Sequence, residues 1–209
     1  MKRVVIFDVM GVIFTAGDDV SELLIPYIRS KYPGIKKDDI RRRYLSASLG
    51  KITARDFWAG LGVPEGEINS IQSAYLDNCF TFDEGFVACV KALKTRYIIA
   101  LLSNDVAEWS AYLRGRYRIN EHIDYAFISG EMGLRKPDPK IYERALDMMG
   151  VLPSECVFVD DSPERVAAAA KLGIESILFD RNDVRYEGLK AGSFGELTGI
   201  LLHNSIAPR

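Results

Sequence analysis

The stretch Lys2–Thr15, KRVVIFDVMGVIFT, decides how the chain is to be read. Val4-Val5-Ile6-Phe7 is an unbroken apolar run, largely β-branched, that ends on the carboxylate Asp8, with Gly11 shortly after. Such a run suits a strand buried on both faces, as in a parallel sheet. A carboxylate at its end stands at the carboxyl edge of that sheet, where open α/β folds place their ligands. Asp8 alone could equally end the strand and cap a turn. What the other strand ends carry settles the matter.

From Phe82 onward strand and helix alternate. A helix over about Gly85–Lys94 leads into the buried strand Tyr97–Leu102, which ends at Ser103-Asn104-Asp105. A helix through Trp109 and Tyr112, a short strand Tyr125–Ser129 and a loop Gly133–Pro139 follow, the loop marked by one glycine and two prolines. Pro139 suits the first turn of a helix carrying Ile141, Tyr142, Ala145 and Leu146. Val157–Val159 is a strand ending in Asp160-Asp161-Ser162-Pro163; a helix then runs to about Leu172, stops at Gly173, and precedes a strand at Ser176–Phe179. The tail past Arg181 is weakly patterned, with one more helix near Phe194–Leu202. Repeated βα units predict an α/β fold, a Rossmann-like parallel sheet with helices on both faces.

Between the first strand and this series the grammar is helical throughout. Val20, Leu23, Leu24, Tyr27 and Ile28 recur at helix spacing, a second helix over about Lys37–Leu49 ends at Gly50, and Thr53-Ala54-Arg55-Asp56 has the form of a capping box. A fourth helix spans about Glu65–Asn78. The expected organisation is a core domain of residues 1–15 and 83–209 and a small all-helical cap domain of residues 16–82, joined through Thr15–Asp19 and Phe80–Glu84.

Composition narrows the function classes. The 209 residues are 48% hydrophobic and 27% charged, ordinary for a globular protein. A net charge of −2 makes no electrostatic case for nucleic acid or an anionic membrane, and no run approaches a membrane span or a signal sequence. Cys79, Cys89 and Cys156, odd in number and in apolar surroundings, predict free thiols in a reducing, cytoplasmic setting. With only His122 and His203, a histidine triad or zinc site is improbable, so acid–base or metal chemistry falls to carboxylates.

Four polar clusters stand at strand ends or loops: Asp8, Ser103-Asn104, Lys136 and Asp160-Asp161. In a parallel sheet these ends share one rim. A carboxylate can act as nucleophile or hard-metal ligand, a hydroxyl and an amide can hold phosphate oxygens, and a lysine can neutralise them. The paired Asp160 and Asp161 suit Mg²⁺, which prefers oxygen ligands. Each cluster has a plain alternative as a helix cap or a solvated cation; their joint occurrence in one βα series argues against four coincidences.

Phe7-Asp8-Val9-Met10-Gly11-Val12, Leu102-Ser103-Asn104, Arg135-Lys136-Pro137-Asp138-Pro139 and Val159-Asp160-Asp161-Ser162, in this order and at these element ends, resemble the motifs of the haloacid dehalogenase-like (HAD) hydrolases. The resemblance covers nearly the whole chain, including a helical cap inserted after the first strand. It implies Asp8 as a nucleophile that forms an aspartyl-phosphate, later hydrolysed by water. It implies Mg²⁺ held by Asp8, the main-chain carbonyl of Met10, Asp161 and Asp160. It further implies Ser103 and the Asn104 main-chain amide on the phosphate, and Lys136 balancing charge. The expected substrate is a small phosphorylated metabolite, handled by a monomer or homodimer.

One position departs from the pattern. Phosphatases of the family usually carry a second aspartate two residues after the nucleophile to protonate the leaving oxygen; here that residue is Met10. Three accounts compete: a slow or specialised phosphatase that uses another acid, such as a cap residue; chemistry needing no leaving-group proton, as in dehalogenation or carbon–phosphorus cleavage; and a low-turnover binding or regulatory relative. Lys51, Arg41-Arg42-Arg43, Phe57 and Trp58 read as solvated or cap-packing residues. A phosphoacceptor receiver domain is rejected: it lacks the helical insertion and carries its acidic pair on the first strand.

Overall fold

In the computed structural model, which describes residues 3–203, Arg3–Phe7 forms strand β1 inside a six-stranded sheet. On one side lie β2 (Tyr97–Ser103) and β3 (Tyr125–Ile128); on the other lie β4 (Cys156–Asp160), β5 (Glu175–Phe179) and β6 (Lys190–Ala191), giving the order β3-β2-β1-β4-β5-β6. Every pairing is parallel. Side chains alternate along each strand, and the burial follows. Val5 and Phe7 join Ile99, Leu101, Val157 and Val159 in one apolar cluster, while Val4 and Ile6 join Ala100, Leu102, Cys156 and Phe158 in another. An unbroken apolar strand is required because both faces are covered.

Between Val20 and Asn78 the described residues form helical elements alone. A π-helical turn at Val20–Leu24 runs into α1 (Ile25–Lys31), followed by α2 (Lys37–Ala47), α3 (Ala54–Ala59) and α4 (Ile68–Asn78). Gly50 has a φ of +67°, the left-handed conformation its place after α2 demands. The capping box at Thr53 is present: the Thr53 hydroxyl accepts from the Asp56 N–H at 3.0 Å, and the Asp56 carboxylate accepts from the Thr53 N–H at 3.1 Å. Where the segment leaves and rejoins the sheet, Thr15 N–H donates to the Thr81 carbonyl at 3.0 Å and Asp83 N–H to the Ile13 carbonyl at 2.9 Å. Entry and exit are thus one short antiparallel contact.

The sheet is covered by α5 (Gly85–Leu93), α6 (Ala107–Arg116), α7 (Ser129–Met132), α8 (Pro139–Met149), α9 (Pro163–Lys171) and α10 (Phe194–His203). Three local readings need correction. Ser129 opens the one-turn helix α7 instead of ending β3. The first turn at Glu65–Glu67 is 3₁₀ and α4 begins at Ile68. The tail past Arg181 contains β6, whose two residues pair with Leu178 and Phe179 and leave too short a pattern to read.

Trp109 of α6 ties the helical segment to the sheet layer. Its ring lies 5.2 Å from Phe57, 5.8 Å from Trp58 and 5.5 Å from Tyr75. The indole N–H groups of Trp58 and Trp109 both donate to the Gln72 amide oxygen, at 3.0 and 2.9 Å. Trp109→Ala removes the shared ring, and by analogy with buried aromatic truncations is expected to cost about 3–5 kcal/mol. A lowered denaturation midpoint at unchanged slope is the expected result; an unchanged midpoint would show that the cluster contributes no net stability.

Candidate active site

Asp8 follows β1 directly, and its N–H donates to the Val159 carbonyl at 2.8 Å, so the rim of the sheet fixes its backbone. The side chain is 2% exposed. Its Oδ1 faces Lys136 Nζ at 2.8 Å and accepts from the Val9 N–H at 2.7 Å. Its Oδ2 accepts from the Arg165 guanidinium at 3.0 Å. Burial disfavours the anion, but Lys136 and Arg165 outweigh it and hold the carboxyl below the ordinary range. Asp8 is therefore charged at neutral pH.

Lys136 is 3% exposed and bridges two carboxylates, reaching Asp160 Oδ2 at 2.6 Å as well as Asp8. Its backbone is gripped by Asn104: the amide nitrogen donates to the Lys136 carbonyl and the amide oxygen accepts from the Lys136 N–H, both at 2.9 Å. This places the Asn104 side chain in the scaffold of the lysine. Asp160, beside the same lysine, shifts the other way; burial first and the Asp8 anion second push it to about 7. Burial and Asp8 likewise raise Asp161 to about 6.

Asp8, Asp160 and Asp161 each offer an oxygen within 4.8 Å of the others. The Asp161 Oδ1 is buried with no hydrogen-bond partner among the described residues, its nearest cation being Arg165 at 3.7 Å, and a Cβ on Gly11, whose φ is +80°, or on Gly17 would run into the Asp161 carboxylate. Hard oxygen donors in a pocket floored by glycines fit a divalent cation such as Mg²⁺. Met10 lies on the wall of the same cavity, and its side chain carries no acid.

The cavity, about 360 Å³, is lined by Asp8, Ser103, Asp161 and Arg165 on the sheet side and by Asp19 and Tyr44 from the helical segment. Ser103, at the end of β2, is 1% exposed and its Oγ has no hydrogen-bond partner among the described residues. A buried hydroxyl left unmatched is an available donor for a ligand oxygen. The structure thus brings Asp8, Met10, Ser103, Asn104, Lys136, Asp160 and Asp161 to one rim.

Two functional groups escape the motif reading. Arg165 sits 3.0 Å from Asp8, 3.5 Å from Asp160 and 3.7 Å from Asp161, a cation inserted among all three. The available signal is its place in the first turn of the helix that follows Asp161, three residues after the N-cap Ser162. Asp19, 8% exposed, faces the cavity beside Tyr44, and only the pair Asp18-Asp19 after Gly17 hints at it. Lys51 and Arg42 are exposed, and Phe57 and Trp58 are buried packing residues.

The family model for haloacid dehalogenase-like hydrolases matches residues 2–173, and the chain belongs to that family. Among individual relatives, it is 33% identical over 99 residues to a phosphoserine phosphatase of Thermus thermophilus, covering 47% of this chain and 39% of the relative. It is 31% identical over 75 residues to a flavin mononucleotide hydrolase of Arabidopsis thaliana, covering 36% of this chain and 31% of the relative. It is 29% identical over 138 residues to an (S)-2-haloacid dehalogenase of Burkholderia cepacia, covering 63% and 57%. The chain thus spans between about a third and somewhat over half of these relatives' lengths. Among solved structures, a HAD family enzyme of Bacteroides thetaiotaomicron superposes with a TM-score of 0.75 at 20% identity, covering 87% of this chain and 95% of that one. The L-2-haloacid dehalogenase of Xanthobacter autotrophicus gives 0.69 at 16% identity, covering 99% and 100%. These likenesses establish a shared fold.

Lys136→Met removes one of the two cations shared by Asp8 and Asp160 and leaves Arg165 alone between them, a change expected to cost about 3–5 kcal/mol at pH 8. Asp160, which burial and the Asp8 anion already raise to about 7, titrates higher still without the lysine. The folded state then binds the extra proton, and stability falls as pH rises through that range. The penalty should accordingly shrink between pH 8 and pH 5 in metal-free urea titrations; an equal penalty at both would show that Lys136 acts by packing.

Proposed function

We propose that the chain is a Mg²⁺-dependent phosphoric monoester hydrolase that acts on a small phosphorylated metabolite through an aspartyl-phosphate at Asp8. The observation that carries this is the nucleophile's setting: a buried, charged Asp8 fixed by Lys136 and the Val9 amide, facing a cavity that also holds the unpartnered Ser103 hydroxyl. In this reading the Asp8 carboxylate attacks phosphorus as the ester oxygen departs, and water afterwards hydrolyses the acyl phosphate. Ser103 and the Asn104 main-chain amide donate to phosphoryl oxygens, and Lys136 offsets charge on the nucleophile and the transferred group. Arg165 adds a second fixed positive charge. Mg²⁺, held by Asp8, Asp160, Asp161 and the Met10 carbonyl, would supply the charge that lets two anions approach.

We assign residues 16–82 as the cap and residues 1–15 with 83–209 as the core. The placement of Asp19 and Tyr44 on the cavity wall supports a cap that covers the site and excludes water. The cavity volume suits a small substrate, and the net charge of −2 offers no nucleic-acid surface. No helix among the described residues is long and apolar enough to cross a membrane. Three free cysteines support a reducing, cytoplasmic setting. A second reading, halide displacement by Asp8, draws support from Met10, since halide leaves without a proton.

A screen of sugar, aryl and acyl phosphates, phosphonates and 2-haloacids separates the readings. Phosphate release that requires Mg²⁺, vanishes in EDTA and falls to background in Asp8→Asn is the expected outcome. Halide release without phosphate release would transfer the assignment to dehalogenation.

A further inference from the structure

An alkyl phosphate leaves as a strongly basic alkoxide, and a positioned proton donor typically accelerates such a step by about 10²–10⁴. Met10 has no proton to give. Asp8 is committed as nucleophile, and Asp160 is held by Lys136 and by the Ser162 N–H at 2.9 Å. Asp161 faces the cation position. Two carboxyls remain on the cavity wall, Asp18 and Asp19. Asp18 is exposed, and its side chain accepts from the Ser21 N–H at 3.0 Å, so it serves the first helical turn.

Asp19 differs in every respect. It is buried, it faces the cavity that holds Asp8, and its hydrogen-bond contact among the described residues is the Tyr44 hydroxyl at 3.5 Å. That hydroxyl has one proton, and the Asn104 carbonyl at 3.1 Å is the nearer acceptor. With the phenolic proton spent on Asn104, the Asp19 carboxyl faces an oxygen lone pair, a contact that suits its protonated form. The charged surroundings agree: burial first, then Asp18 and Asp8, push the group up to about 7 against the pull of Arg135 and Arg165.

We propose that Asp19 is the general acid–base of this site, delivered from the start of the helical segment in place of the carboxyl that Met10 lacks. The inference rests on the phosphatase reading above. As the bond from phosphorus to the ester oxygen breaks, the Asp19 O–H gives its proton to that oxygen; the alcohol leaves, the phosphoryl group stays on Asp8, and Asp19 becomes a carboxylate. A water then bonds to phosphorus through its oxygen, passing one proton to Asp19 as the bond to Asp8 breaks. Orthophosphate departs, one water is consumed, and Asp19 is again protonated.

Leaving-group dependence isolates this role. In Asp19→Asn, kcat for an alkyl phosphate should fall about 10²–10⁴-fold, while kcat for p-nitrophenyl phosphate, whose phenolate leaves unaided, should fall less than about tenfold. Adding Met10→Asp to Asp19→Asn should restore alkyl-ester turnover selectively. Met10→Asp alone, which does not depend on the folding of an Asp19 variant, should gain less than about tenfold on the alkyl ester because a donor is already in place. Equal losses on both esters in Asp19→Asn, or a hundredfold gain in Met10→Asp alone, would overturn the assignment while leaving the phosphatase reading intact. A wild-type protein inert toward both esters, with Mg²⁺ present, would overturn that reading and the Asp19 role with it.

Discussion

Three carboxylates meet within 4.8 Å at the rim of the sheet, and the architecture answers their repulsion. Two unit charges at that separation repel by about 3 kcal/mol even at an effective dielectric constant near 20. Three such pairs would endanger a domain whose net stability is about 5–15 kcal/mol. Lys136 and Arg165 offset the cost, and both must be held in place. The lysine is fixed through its peptide by Asn104 from the end of β2, and the arginine by the helix that starts at Pro163, two residues after Asp161. Strand register sets the distances: Phe7 pairs with Val159, so Asp8 and Asp160 emerge side by side.

This dependence explains which parts were legible in the chain. An apolar run buried on both faces has a recognisable pattern, and polar residues at the ends of parallel strands must share a rim, so Asp8, Ser103, Lys136 and Asp160-Asp161 could be gathered before any coordinates. Arg165 could not be placed that way. Its position on α9 is plain, but its reach to three carboxylates at two strand ends depends on how that helix leaves β4. Asp19 was hidden for a related reason: its burial is produced by Tyr44, far along the chain, and by the fold of the intervening helices. The short β6 and the π-turn at Val20–Leu24 lack distinct patterns because two residues carry no period and a single five-residue turn is too short to show a spacing different from the α-helix it runs into.

Membership of the family leaves the reaction open. The relatives include phosphatases and a dehalogenase, so the sheet and its aspartate are compatible with both chemistries. What distinguishes the two is local. Phosphoryl transfer benefits from dense positive charge and a proton donor for the departing alkoxide, whereas halide displacement needs neither. Here the positive charge is abundant, in Lys136, Arg165 and a carboxylate trio suited to a divalent cation, while the usual donor position is apolar. The cation side of the site therefore argues for phosphate, and the proton side demands another source.

A donor drawn from the helical segment alters what that segment does. An acid two residues past the nucleophile would be present whether or not the site is covered. Asp19 belongs to a different element, and it meets the cavity only while Tyr44 and the adjoining helices lie over the sheet rim. Under the role proposed for Asp19, proton transfer is conditional on closure, and bulk water is excluded at the moment the acid is in position. The Trp109 cluster, with both indole N–H groups satisfied by Gln72, packs the segment onto α6. At its other end the segment is tied to the core through the antiparallel contact of Phe14 with Phe82 and the Thr15 N–H on the Thr81 carbonyl. The proposed substrate, a small phosphorylated metabolite, accords with a cavity of about 360 Å³.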